Sequence, residues 1–118
     1  MKKALQFIAC MLIICSVILY LLWGFYLIVM TLKRARDAGT LSFPATVLGM
    51  PLVWLGVLID AIANWTICTI IFVELPRETL VTSRLKRLIL TEGWRGDMAA
   101  WFCLNLLNAF DPSGNHCK

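Results

Sequence analysis

The chain has 118 residues, 60% of them hydrophobic and only 15% charged, with a formal net charge of +4. An ordinary soluble domain carries roughly 45–50% apolar and about 25% charged residues, so this composition excludes one and points to a small membrane protein. The basic residues flank the apolar runs, where they set topology and touch headgroups, and no nucleic-acid partner is expected.

The first apolar run, Ala4–Leu32, has no charged residue and exceeds the roughly 18 residues that mark a spanning helix. Lys2 and Lys3 precede it as in a secretory signal. The run is much longer than the roughly 7–15 apolar residues of a signal, and no small-residue cleavage site precedes Lys33, so an uncleaved anchor is expected. As a helix it would extend about 43 Å, against a hydrocarbon core of about 30 Å, so it must tilt or protrude. Tyr20, Trp23, Phe25 and Tyr26 fall in its second half, either as an interfacial aromatic belt or as packing for the next helix.

Lys33, Arg34 and Arg36 stop this span, Gly39 and Ser42 supply turn chemistry, and Pro44 and Pro51 each bias the preceding residue away from helix, ahead of and at the start of the second span, at about 48–73. Residues 1–73 are therefore expected to form a transmembrane hairpin. Lys2, Lys3, Arg77, Arg84, Lys86 and Arg87 outnumber Lys33, Arg34 and Arg36, which predicts a multi-pass topology with both termini cytoplasmic.

Residues 74–118 follow as a C-terminal segment of two short helices, either amphipathic on the membrane surface or packed in the cytoplasm. In the first, Leu80, Val81, Leu85, Leu88 and Ile89 share one face while Arg77, Arg84 and Arg87 lie on another, the pattern of a basic surface helix. Gly93 and Gly96 break the period. Asp97 is the expected N-cap of the second, DMAAWFCLNLLNAF. The fold class expected is an all-α membrane protein, a two-transmembrane-helix hairpin followed by these two helices.

Asp60 is the one charge in Pro51–Val73, and Asn64 lies a turn further on. A charged aspartate costs about 2.5–3.5 kcal/mol at the centre of a span, so this face should meet protein or water. It is read first as a polar seam against the other helix or another copy. The alternatives are a pore lining, a proton or cation relay, and a pairing site for a partner's basic residue. Of five cysteines, Cys10, Cys15 and Cys68 lie in spans and act as small hydrophobes. Cys103 and Cys117, in a cytoplasmic segment, are expected as thiols, with a disulfide the alternative if that segment is periplasmic. With His116 they are weak metal candidates, because His116 and Cys117 are adjacent and no paired-cysteine motif is present. No cofactor is expected. The single histidine and the serines lack the neighbours a nucleophile needs, so no catalytic residue is expected.

KRARDAGTLS, the spaced series Gly49, Pro51, Gly56, Asp60, Asn64 and Thr66, ELPRE, TSRLKR and the ending WFCLNLLNAFDPSGNHC together resemble a family of small membrane proteins encoded by tailed phages and prophages of Gram-negative bacteria. The resemblance covers Lys33 to Cys117 and is most specific in FDPSGNHC. It implies a phage origin and an inner-membrane location, and carries no catalytic residue. The expected function is that of a non-enzymatic accessory protein contacting lipid, another copy, or a phage or host membrane protein. A holin-like lesion former is the alternative.

Overall fold

The computed structural model describes residues 1–117 and is helical throughout, without a strand among the described residues. Its long axis of 56 Å is set by α1, Lys2–Asp37, which at 1.5 Å per residue is about 54 Å long. Arg34 and Arg36 occupy its last turn, where cations suit the helix dipole.

The connection is shorter than expected. Gly39, at φ +69, turns the chain, and Ser42 caps α2, Phe43–Trp65, by accepting a bond from the Ala45 amide at 3.3 Å. Pro44 lies in the first turn, where its missing N–H is harmless. Pro51 sits inside the helix rather than before it. A short break at Thr66 leads to α3, Ile67–Phe72, and α2 and α3 form one run long and apolar enough to cross a membrane, as does α1. The hairpin is antiparallel: Gly49 lies against Leu32 and Gly56 against Phe25, close enough that a Cβ on Gly49 would meet Leu32 at 3.0 Å.

The segment after the hairpin is part of the same body. α4, Val81–Ile89, and α5, Trp94–Phe102, pack on α3, and one core joins Cys68 and Phe72 of α3, Leu85 and Leu88 of α4, Ala99 of α5, Cys103 and Cys117. Of the two placements expected for α4, the structure shows its apolar face packed on protein, with Leu85 and Leu88 on the buried face as read. α5 begins at Trp94, three residues before the expected Asp97 cap. Gly93, at φ +106, lets the chain enter the helix, and Gly96, expected to break it, lies inside it. A Cβ on Gly96 would stand 2.1 Å from the Thr91 carbonyl oxygen and 3.0 Å from that of Leu88, so glycine is what allows α5 to close on the end of α4.

Beyond Phe102 the helix widens into a π turn, Cys103–Leu107, and tightens into a 3₁₀ turn, Asn108–Phe110. We call Trp94–Phe110 the arm. Its start is held by Arg95, which donates to the Phe72 carbonyl at 2.6 Å and to that of Val73 at 3.2 Å. Its end lies beside the far part of α1: Trp23 donates to the Leu106 carbonyl at 3.0 Å, Tyr26 to that of Leu107, and Arg34 to that of Phe110 at 3.2 Å. The arm therefore runs from the end of the hairpin at α3 toward its turn.

Candidate functional site

The polar residues in α2 are spent on the chain that returns from α3. Asp60 accepts a bond from the Val81 amide at 3.2 Å, and the Asn64 amide donates to the Glu78 carbonyl. α4 has no side-chain cap of its own, so Asp60, from twenty-one residues away, is its N-terminal acceptor and a favourable charge for its dipole. This fixes the start of α4 at Val81. Asp60 and Asn64 thus bond the protein's own segment 78–81, where the first reading had set them against the other long helix or another copy.

The basic residues divide. Arg77 and Lys86 are exposed, as expected for a membrane-surface cluster. Arg84 is not: it is fully buried, and among the described residues no acceptor lies within hydrogen-bond reach of its guanidinium nitrogens. It lies on the same turn as Leu85 and Leu88, so burying that apolar face against α3 carries it inward. Arg87 binds Glu78 and Glu74, both outside α4. Its guanidinium pulls the Glu78 carboxyl below its ordinary range, against a smaller effect of burial, and is itself pushed up by Glu78 and Glu74. At the hairpin turn, Lys33 lies 3.7 Å from Asp111 and Arg36 lies 3.2 Å from Asp37.

The tail is a closed knot. Cys103 and Cys117 form a disulfide, with Cα atoms 6.1 Å apart, which corrects the expectation of reduced thiols and removes both sulfurs from the weak metal set with His116. Inside the loop so closed, Asp111 is 7% exposed and accepts from His116 Nδ1 at 2.7 Å, the Ser113 amide at 2.8 Å and the Ser113 hydroxyl at 2.7 Å. Burial acts to raise its carboxyl, but the His116 and Ser113 bonds and the Lys33 charge outweigh it and hold the group well below the usual carboxylate range. The His116 amide donates to Asn108 at 3.0 Å, and the His116 ring meets Tyr26 edge-on with centroids 4.8 Å apart. Sequence reading missed this knot. The adjacent Asp, Ser, Asn and His of DPSGNHC were visible, but Lys33 and Tyr26 belong to α1, far away in the chain.

Between α1, α2, α3, α4 and the tail lies a cavity of about 280 Å³. Leu19, Phe25, Val57, Leu85 and Phe102 are among its walls, and Asp60, Thr82 and His116 reach it.

The fold and site define an all-helical protein with two helices long and apolar enough to cross a membrane, and a disulfide-closed tail packed against them. Comparison with protein-family models, with curated proteins and with solved structures finds no match.

Proposed function

We propose that this is a non-enzymatic, phage-encoded accessory protein of the bacterial inner membrane, acting through contacts with lipid and with membrane proteins. The observation that carries the membrane part is the exposure of large apolar side chains around both long helices: Leu5, Phe7, Leu12 and Ile13 on α1, Leu48, Trp54 and Leu58 on α2, each more than half exposed. No solvent-facing role accounts for so much apolar surface, and contiguous exposed patches of this kind mark lipid or protein contacts. The phage origin rests on the resemblance from Lys33 to Cys117.

The orientation proposed differs from one with both termini cytoplasmic. Disulfides persist in oxidising compartments, and the loop that the disulfide closes reaches Arg34 and Lys33 at the hairpin turn through Phe110 and Asp111, while the sulfurs themselves pack with Cys68, Phe72, Leu85 and Leu88. The arm, uncharged from Met98 to Phe110, covers about 24 Å between the two ends, most of a hydrocarbon core of about 30 Å. The amino-terminal end, with Lys2, Lys3, Arg77 and Lys86, then faces the cytoplasm, in keeping with the positive-inside rule, and the turn and tail face the periplasm. Asp37 and Asp111 offset part of the basic charge carried to that side.

A lesion former lined by Asp60 fits less well, because Asp60 and Asn64 hold residues 78–81. Expression of the chain without any lysis partner, with membrane potential recorded, tests the function. Continued growth with intact potential is expected, together with specific crosslinks in mild detergent; abrupt depolarisation would favour the lesion former. Cysteine labelling at Thr40 by a membrane-impermeant reagent in spheroplasts tests the orientation, and protection of that site would overturn it.

A further inference from the structure

The cavity is the one feature of the fold that neither the seam nor the knot requires, and its walls say what belongs in it. Each polar side chain that bears a strong hydrogen-bonding group there already has a partner. Trp23 and Tyr26 donate to the arm's carbonyls, Asp60 accepts from Val81, and Thr82 Oγ1 lies 3.1 Å from His116 Nε2. The remaining lining is apolar apart from the Cys68 thiol, so a polar ligand would lose water and find few free partners. An apolar occupant loses nothing.

Length narrows it further. Along α1 the walls run from Leu19 to Met30, about 16 Å at 1.5 Å per residue, which is half of a hydrocarbon core of about 30 Å and so the depth of one leaflet. Val57, one of the walls, is exposed, so the cavity opens to the outside. One turn beyond Met30, at the end that meets the headgroups, stand Lys33 and Arg34. Lys33 is engaged by Asp111, Arg36 by Asp37, and Arg34, which is exposed, makes a single bond among the described residues, to the Phe110 carbonyl.

We propose that the cavity binds a single acyl chain of an anionic phospholipid of the leaflet at the hairpin turn, with the phosphate on Arg34 and the edge of Lys33. This rests on the membrane reading above. It makes the lipid part of the packing between α1, α4 and the tail, so the protein senses the composition of that leaflet through its own fold.

The test uses the full chain, extracted in mild detergent, supplied with phosphatidylglycerol or phosphatidylcholine of the same chains, and weighed by native mass spectrometry. One phospholipid per chain is expected to remain, with phosphatidylglycerol preferred about fivefold, the effect of one basic residue at an anionic surface. The double variant Val29→Phe with Val57→Phe, which fills the cavity, should lose the lipid. Arg34→Gln should keep a lipid and lose the preference, and since Arg34 is exposed this variant tests the site even where the filled one fails to fold. Retention of lipid by a folded filled variant, equal retention of both lipids by the natural chain, or a lipid-free dimer would each overturn the proposal. Resistance of the chain to carbonate extraction, measured in parallel, separates these results from failure of the membrane reading: a chain that is carbonate-resistant but holds no lipid refutes the site alone.

Discussion

Replacing Cys103 and Cys117 together by alanine should destabilise the protein by about 3 kcal/mol. The bond closes a loop of sequence separation 14, and cross-linking a loop of about fifteen residues removes roughly that much free energy from the unfolded chain on the loop-entropy model. The native state gives little of this back, because the same loop is held by Asp111, His116 and Ser113 and by its contacts with Tyr26 and Lys33, so the folded tail should keep its place without the bond. For a chain of this size, about 3 kcal/mol lowers the melting temperature by roughly 10–20 °C. Thermal unfolding of detergent-solubilised protein, followed by circular dichroism with and without reductant, measures it. Reductant should lower the melting temperature of the natural chain to that of the double variant and leave the variant unchanged. Alkylation in intact cells followed by reduction and mass tagging should report both cysteines as bonded. Free thiols at both positions in cells, or a melting temperature indifferent to reductant, would refute the packing of the tail and the orientation drawn from it.

Asp111→Asn should cost about 2 kcal/mol near neutral pH, the scale of losing one hydrogen bond to a charged group. Because the folded state holds the Asp111 carboxyl below its ordinary range, the unfolded chain takes up the proton first. That stabilisation is therefore present above about pH 4 and lost as the pH falls toward the folded value. The gap in melting temperature between the natural chain and the variant should narrow progressively as the pH is lowered from neutral to below about 3. Gly96→Ala should fail to reach the natural fold or lose more than about 3 kcal/mol, since its Cβ would meet a backbone oxygen that cannot swing away; proteolysis should then cut first between α4 and α5. Asn64→Ala leaves the Glu78 carbonyl without its donor in a buried seam and should cost about 1–3 kcal/mol. Asp60→Ala should cost about 1 kcal/mol as a lost cap, with Asp60→Asn close to neutral. The two alanine losses should fall short of additive when combined, because both residues hold 78–81.

The two long helices were legible in the sequence because membrane-spanning length and the absence of charge are local properties. Asp60 and Asn64 were legible as a protein-facing pair for the same reason: a carboxylate and an amide one turn apart in an apolar run cannot be left to lipid. The alternation on α4 also named Leu85 and Leu88 correctly.

What that alternation could not decide was the fate of Arg84. A charge on a helical wheel reads as exposed, yet Arg84 is buried because α3 covers its turn of α4. The start of α4, the place of α5 and the disulfide belong to the same class. Val81 begins a helix because Asp60 accepts its amide, and Gly96 is helical because Thr91 lies against it. By itself the sequence determined which segments avoid water and which residue pair must face protein, since those follow from transfer free energies read along the chain. Only the tertiary structure decided what they face, and with it the closed tail and the cavity beside it, because those depend on which distant backbone groups need a partner once the helices have packed.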